Sequence, residues 1–103
     1  MKKFGLTAND IEDLKNSFQR FGKINKVVIF GSRAIGNHKP YSDVDLAIVE
    51  GKVGLSDQLR VLSKIEEETN LPYFVDLLDY NSITNENLKK HIDTHGKVIY
   101  KKK

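Results

Sequence analysis

Cysteine is absent from the 103 residues. That excludes disulfide staples and thiolate metal centres, and it fits a reducing compartment. Long apolar runs are missing as well. The longest, such as Val27 to Phe30, are far too short to span a bilayer. The opening residues Met1-Lys2-Lys3-Phe4-Gly5-Leu6 lack the apolar stretch of a secretion signal. No internal repeat, low-complexity tract or linker interrupts the chain. The expectation is therefore one domain over residues 1–103, in the cytoplasm and without a membrane partner. Strong charge imbalance is lacking too: the net charge is +3, and part of it lies in Lys101-Lys102-Lys103. That tail reads as a frayed, solvated end rather than a nucleic-acid arm, so direct nucleic-acid binding is not expected. Homo-oligomerisation is left open.

What is present looks globular. Hydrophobic residues make up 39% and charged residues 30%, a balance that excludes wholesale disorder. Ile11, Leu14, Phe18 and Phe21 recur at helical spacing, so a helix is predicted over residues 8–21. Thr7 and Asp10 resemble a capping box at its start, and Gly22 stands at its end. Lys26-Val27-Val28-Ile29-Phe30 reads as a buried strand, followed by a short helical turn after Ser32 and a polar loop over 36–41. A second strand is predicted over 43–49 and a helix over 55–69, with Leu55, Leu59, Leu62 and Ile65 on one face. Tyr73 to Leu78 gives a third strand, 84–94 a short helix with Leu88 and Ile92, and 96–100 a closing edge strand. Helices and strands alternate throughout. The expected fold class is α/β (α+β), a small mixed β-sheet covered by helices on one side.

One spacing carries chemistry: Gly31-Ser32, ten residues, then Asp43-Val44-Asp45. A glycine at the end of a buried strand lets backbone approach a phosphate with no Cβ in the way. The Ser32 hydroxyl and the amides of the following turn can donate to phosphate oxygens. Residues i and i+2 of a strand share a face, so Asp43 and Asp45 project together. Two close carboxylates repel, and Mg²⁺ relieves that repulsion while keeping coordination positions for water and phosphate oxygens. Asp76 is a lone carboxylate inside the apolar run Tyr73 to Leu78, where a bare charge is costly unless paired or bound to metal. With the second and third strands adjacent, three carboxylates would converge, an arrangement suited to two-metal phosphoryl or nucleotidyl transfer.

Gly31-Ser32-Arg33-Ala34-Ile35-Gly36 followed by Ser42-Asp43-Val44-Asp45-Leu46-Ala47-Ile48 resembles the signature of the minimal nucleotidyltransferases, in the DNA polymerase β-like superfamily. The resemblance runs from the first strand through Asp76. It implies the nucleotidyltransferase fold, ATP as substrate, Mg²⁺ (two ions) as cofactor, and Asp43 and Asp45 as metal ligands. It further implies Asp76 as a third metal-binding carboxylate that orients the attacking hydroxyl, with Gly31 and Ser32 holding the triphosphate. Members of the family often pair with a small all-helical HEPN protein, and in some pairs the nucleotidyltransferase is the antitoxin and adds AMP to a tyrosine of the HEPN toxin. Many relatives have a basic residue where this chain has Ile35, so Arg33 or Lys39 would have to replace that triphosphate contact.

Each residue has a plainer reading. Asp43 and Asp45 could be polar residues at a strand entrance, Asp76 the buried partner of a lysine, and Ser32 a helix N-cap. Arg33 and Lys39 divide evenly between phosphate contact and solvated surface. Asp79 belongs to a turn, and His91 and His95 are expected to be surface histidines, since no third ligand accompanies them. Tyr73, Tyr80 and Tyr100 read as core or rim. Two rivals stand beside an adenylyltransferase with a hydroxyl acceptor. One is a non-catalytic nucleotide-binding subunit that regulates a helical partner by contact. The other is an antibiotic-type enzyme acting on small molecules, for which the chain offers little acceptor-binding region.

Overall fold

The computed structural model describes residues 2–103. Helix α1 (Ala8–Gln19) begins where the sequence places it. Thr7 accepts from the Asp10 amide at 3.0 Å, and the Asp10 carboxylate accepts in return from the Thr7 N–H. Two of the N-terminal amides that a helix cannot satisfy internally are thereby used. Leu14 and Phe18 lie one turn apart and are fully buried. Strand β1 (Ile24–Phe30) follows, then a single helical turn, α2 (Ser32–Ile35), and a loop leading to β2 (Val44–Gly51). Helix α3 (Leu55–Glu68) crosses to β3 (Val75–Asp79), and a 3₁₀ turn at Tyr80–Ser82 leads to α4 (Glu86–His95) and β4 (Lys97–Lys101).

The sheet order is β3-β2-β1-β4. β1 is antiparallel to both β2 and β4, whereas β2 and β3 run parallel. The parallel pair needs a crossover, and α3 provides it. β4 is an edge, as expected, and β3 is the other.

The sheet is covered on both faces, which corrects the one-sided expectation. One face carries Val27, Ile29, Leu46 and Ile48, packed against Leu14 and Phe18 of α1 and Val61 and Ile65 of α3. The opposite face carries Val28, Phe30 and Ala47 against Ile92 of α4, with Leu88 beside it. The reason lies in β1: Val27 to Phe30 is apolar at every position, so both of its faces demand cover.

The buried stripe of α3 also differs from the expected one. Val61 and Ile65 are buried, whereas Leu55 and Leu59 stay 69% and 56% exposed. The chain's end is more ordered than a frayed tail. Lys101 belongs to β4, and Lys102 donates from its amide to Asn25 O at 2.8 Å and from Nζ to Gly22 O at 3.0 Å.

Candidate active site

The carboxylates gather on the face covered by α4. Asp45 lies between Val44 and Leu46, both buried in the first cluster, so it projects to the other side with Ala47. In the β1–β2 ladder Asp45 stands opposite Phe30, and in the parallel β2–β3 ladder it stands opposite Asp76. Directly paired positions put their side chains on the same face as near neighbours. Asp43 lies just before β2, two residues upstream of Asp45.

Burial is uneven across the three. Asp45 is half-buried, while Asp43 and Asp76 are exposed. Asp76 therefore escapes the desolvation cost expected from its apolar flanks. β3 is an edge strand, and at Asp76 it turns its polar residue to solvent. Asp45 carries the electrostatic strain. Burial raises its carboxyl above the ordinary carboxylate range, and the negative charges of Asp76 and Asp43 raise it further, with His91 and then Arg33 opposing.

The donor chemistry fits a hard divalent cation. All three groups are carboxylates, the half-buried one is short of compensating positive charge, and the exposed two leave room for water and phosphate oxygens. Among the described residues no three acidic or imidazole groups close on one point as a ready cage. The set thus suits a cation that brings further ligands with it.

Gly31 joins this site for a reason other than the expected one. Its φ is +74°, a conformation L side chains rarely adopt, and a Cβ there would collide with Asp45 Oδ2. The space freed by the missing side chain is occupied by the protein's own carboxylate. Ser32 follows as the first residue of α2, so the Gly31-Ser32 turn is held directly against Asp45.

Arg33 fits neither of its expected readings. Its side chain is 2% exposed. Nε and Nη2 donate to Ser42 O at 3.1 and 2.7 Å, Nη1 donates to Phe4 O at 2.9 Å, and the guanidinium stacks 4.3 Å over the Tyr73 ring. These contacts commit its donors to the fold, so the triphosphate contact expected of it is corrected to a structural role. Arg33 ties together the turn at Phe4, the loop that delivers Asp43, and the segment entering β3. With Ile35 half-exposed and apolar, Lys39 is the exposed cation remaining in that loop.

Sequence reasoning also missed His91, which is not a free surface histidine. It is half-buried, and its Nε2 accepts from the Gly31 N–H at 2.9 Å. A signal was available: Leu88, His91 and Ile92 share one helical face by spacing, and that face covers the sheet. His95 is exposed as expected, and Asp79 takes its turn role by accepting from the Asn81 amide and the Ser82 hydroxyl. Tyr100 is core, while Tyr73 and Tyr80 are half-buried.

Comparison with known proteins matches residues 12–103 to the family described as Polymerase beta, Nucleotidyltransferase. The chain belongs to this nucleotidyltransferase family. Within it, the chain is similar to the probable protein adenylyltransferase MntA of Haemophilus influenzae, with 34% identity over 98 residues, 94% of this chain and 84% of the relative. Solved structures share the nucleotidyltransferase fold. A toxin–antitoxin with AMP-PNP superposes with a TM-score of 0.70 at 24% identity, covering 95% of this chain and 76% of that one. A tri-AMPylated Shewanella oneidensis HEPN toxin in complex with MNT antitoxin gives 0.66 at 19% identity, covering 90% and 71%. At these identities the structural likeness establishes the fold alone.

Proposed function

We propose that this nucleotidyltransferase moves AMP from Mg-ATP to a hydroxyl, with a tyrosine of a small helical HEPN-type protein as the acceptor. The observation that carries the reading is the ladder register that sets Asp45 opposite Asp76, in a chain 34% identical to a probable protein adenylyltransferase. In this reading the whole chain works as one nucleotidyltransferase domain. Asp43 and Asp45 hold Mg²⁺, with Asp76 as the third metal-binding carboxylate, and the Gly31-Ser32 turn takes the triphosphate. When bound, Mg²⁺ neutralises negative charge on the carboxylates and on the phosphates.

The acceptor hydroxyl attacks the α-phosphorus, the bond to the β-phosphate bridging oxygen breaks, and pyrophosphate leaves. Asp76 accepts a hydrogen bond from the incoming hydroxyl and takes its proton. Its exposure on an edge strand supports that role, because an acceptor from another protein can reach it from solvent. Asp45, half-buried behind it, supports the nucleotide side. Positioning supplies much of the rate in such a transfer, so a partner that presents its own hydroxyl in line is both acceptor and cofactor for geometry.

Among the described residues no helix is long and apolar enough to cross a membrane. Together with the absence of cysteine, this supports a cytoplasmic site of action. The test uses labelled ATP, Mg²⁺ and the helical partner, read by mass spectrometry of that partner. The expected product is AMP on a partner tyrosine. The Asp43→Asn, Asp45→Asn double variant should lose both transfer and the rise in melting temperature that Mg-ATP gives the wild type. A double variant that binds Mg-ATP as well as wild type would overturn the site. An unmodified partner beside a modified small-molecule acceptor would overturn the substrate class.

A further inference from the structure

The hydrogen bond between His91 and Gly31 joins residues 60 positions apart in sequence, and it does so at the turn that meets Asp45. The β1–β2 pairing ends at Phe30 opposite Asp45, so the next N–H, that of Gly31, has left the ladder. A half-buried peptide donor in that position needs an acceptor. His91 Nε2 is that acceptor.

The ring itself is held in place. It stands edge-on to Phe30 with centroids 6.1 Å apart, it packs against His95 at 5.1 Å, and its neighbour Ile92 is buried in the core beneath α4. Gly31 is therefore gripped from two sides. Its Cα faces the Asp45 carboxylate, which a Cβ would displace, and its N–H is held by α4. Rotation of the Phe30–Gly31 peptide would break the second contact.

We propose that His91 is a positioning residue of the nucleotide site. By holding the Gly31 N–H it sets the Gly31-Ser32 turn against Asp45 in the orientation that receives the triphosphate. This inference rests on the assignment of that turn to the nucleotide. His91 touches neither reacting atom, so its removal acts on nucleotide affinity rather than on the chemical step.

The experiment uses the full chain. In the nucleotide-free wild type, the N–H···N bond should appear by NMR as a ¹⁵N–¹⁵N coupling between Gly31 N and His91 Nε2. His91→Ala should raise the KM for Mg-ATP about three- to tenfold, the span expected for one lost hydrogen bond, and leave kcat nearly unchanged. His91→Gln, whose amide oxygen can accept from the same N–H, should recover part of that affinity. Absence of the coupling would overturn the proposal. So would an unchanged KM in His91→Ala, which would make the bond a purely structural tie, or a fall in kcat at unchanged KM. Failure of the underlying site assignment looks different: the coupling is present, but the Asp43→Asn, Asp45→Asn variant still binds Mg-ATP. That result removes the nucleotide site together with its positioning residue.

Discussion

At the scale of single residues, Asp45 in β2 and Arg33 in α2 are two charges that meet opposite surroundings. Asp45 is held above the ordinary carboxylate range by burial and by Asp76 and Asp43. A carboxyl raised in the folded state favours its protonated form there, so the stability it contributes is fully present at acid pH. That stability is lost as pH rises through the folded-state value. Asp45→Asn removes the penalty. The variant, free of metal and nucleotide, is expected to melt above wild type at neutral pH, with the gap closing as pH falls to the ordinary carboxylate value. Paired thermal melts across that range measure it, and a gap independent of pH would contradict the account. For Arg33 the expectation is the reverse of a ligand contact. Arg33→Met leaves the Ser42 and Phe4 carbonyls without their buried donors, so about 2–4 kcal/mol of stability should be lost in urea unfolding. Arg33→Lys should recover only part of this, since an ammonium cannot reproduce the planar fork. A variant that folds normally and is deficient only in nucleotide binding would return Arg33 to the phosphate site.

Among the elements, the sequence was legible wherever local chemistry decides. The Thr7–Asp10 cap, the strand at Val27 to Phe30, the turn after Ser32 and the α3 helix all form within a few residues of their expected bounds. What was not legible depends on how elements meet. Leu55 and Leu59 are as apolar as Val61 and Ile65, and only the position of the sheet decides which pair is buried. The same is true of α4, whose buried face could be read from spacing but not the side of the sheet it covers. Within the site, the Gly-Ser and Asp-Val-Asp spacing could be read, because it is set by one strand and one turn. The roles of Arg33 and His91 could not, because each bridges segments far apart in sequence. The α3 case gives a direct check. Ile65→Ala should cost about 2–5 kcal/mol of unfolding free energy, and Leu59→Gln no more than about 0.5 kcal/mol. Comparable losses in the two variants would mean that the helix is rotated from the orientation described.

For the molecule as a whole, the sheet divides the site between unequal supports. β2, which carries Asp45, is hydrogen-bonded to a neighbour on each side, whereas β3, which carries Asp76, has a neighbour on one side only. Among the described residues no further strand lies beyond β3, and Gln58 of α3 donates to the Leu77 carbonyl at 2.9 Å. Backbone held on both sides opens only with the fold, while an edge can open locally. Amide exchange should therefore be slowest along β1 and β2 and measurably faster along β3, and equal protection across the three would contradict this. On the proposed reading, the nucleotide half of the centre stands on stiff ground and the acceptor half on compliant ground. A protein that docks along β3 would set the last free coordinate of the reaction by its own presence, so the arrival of the acceptor would also tune the enzyme.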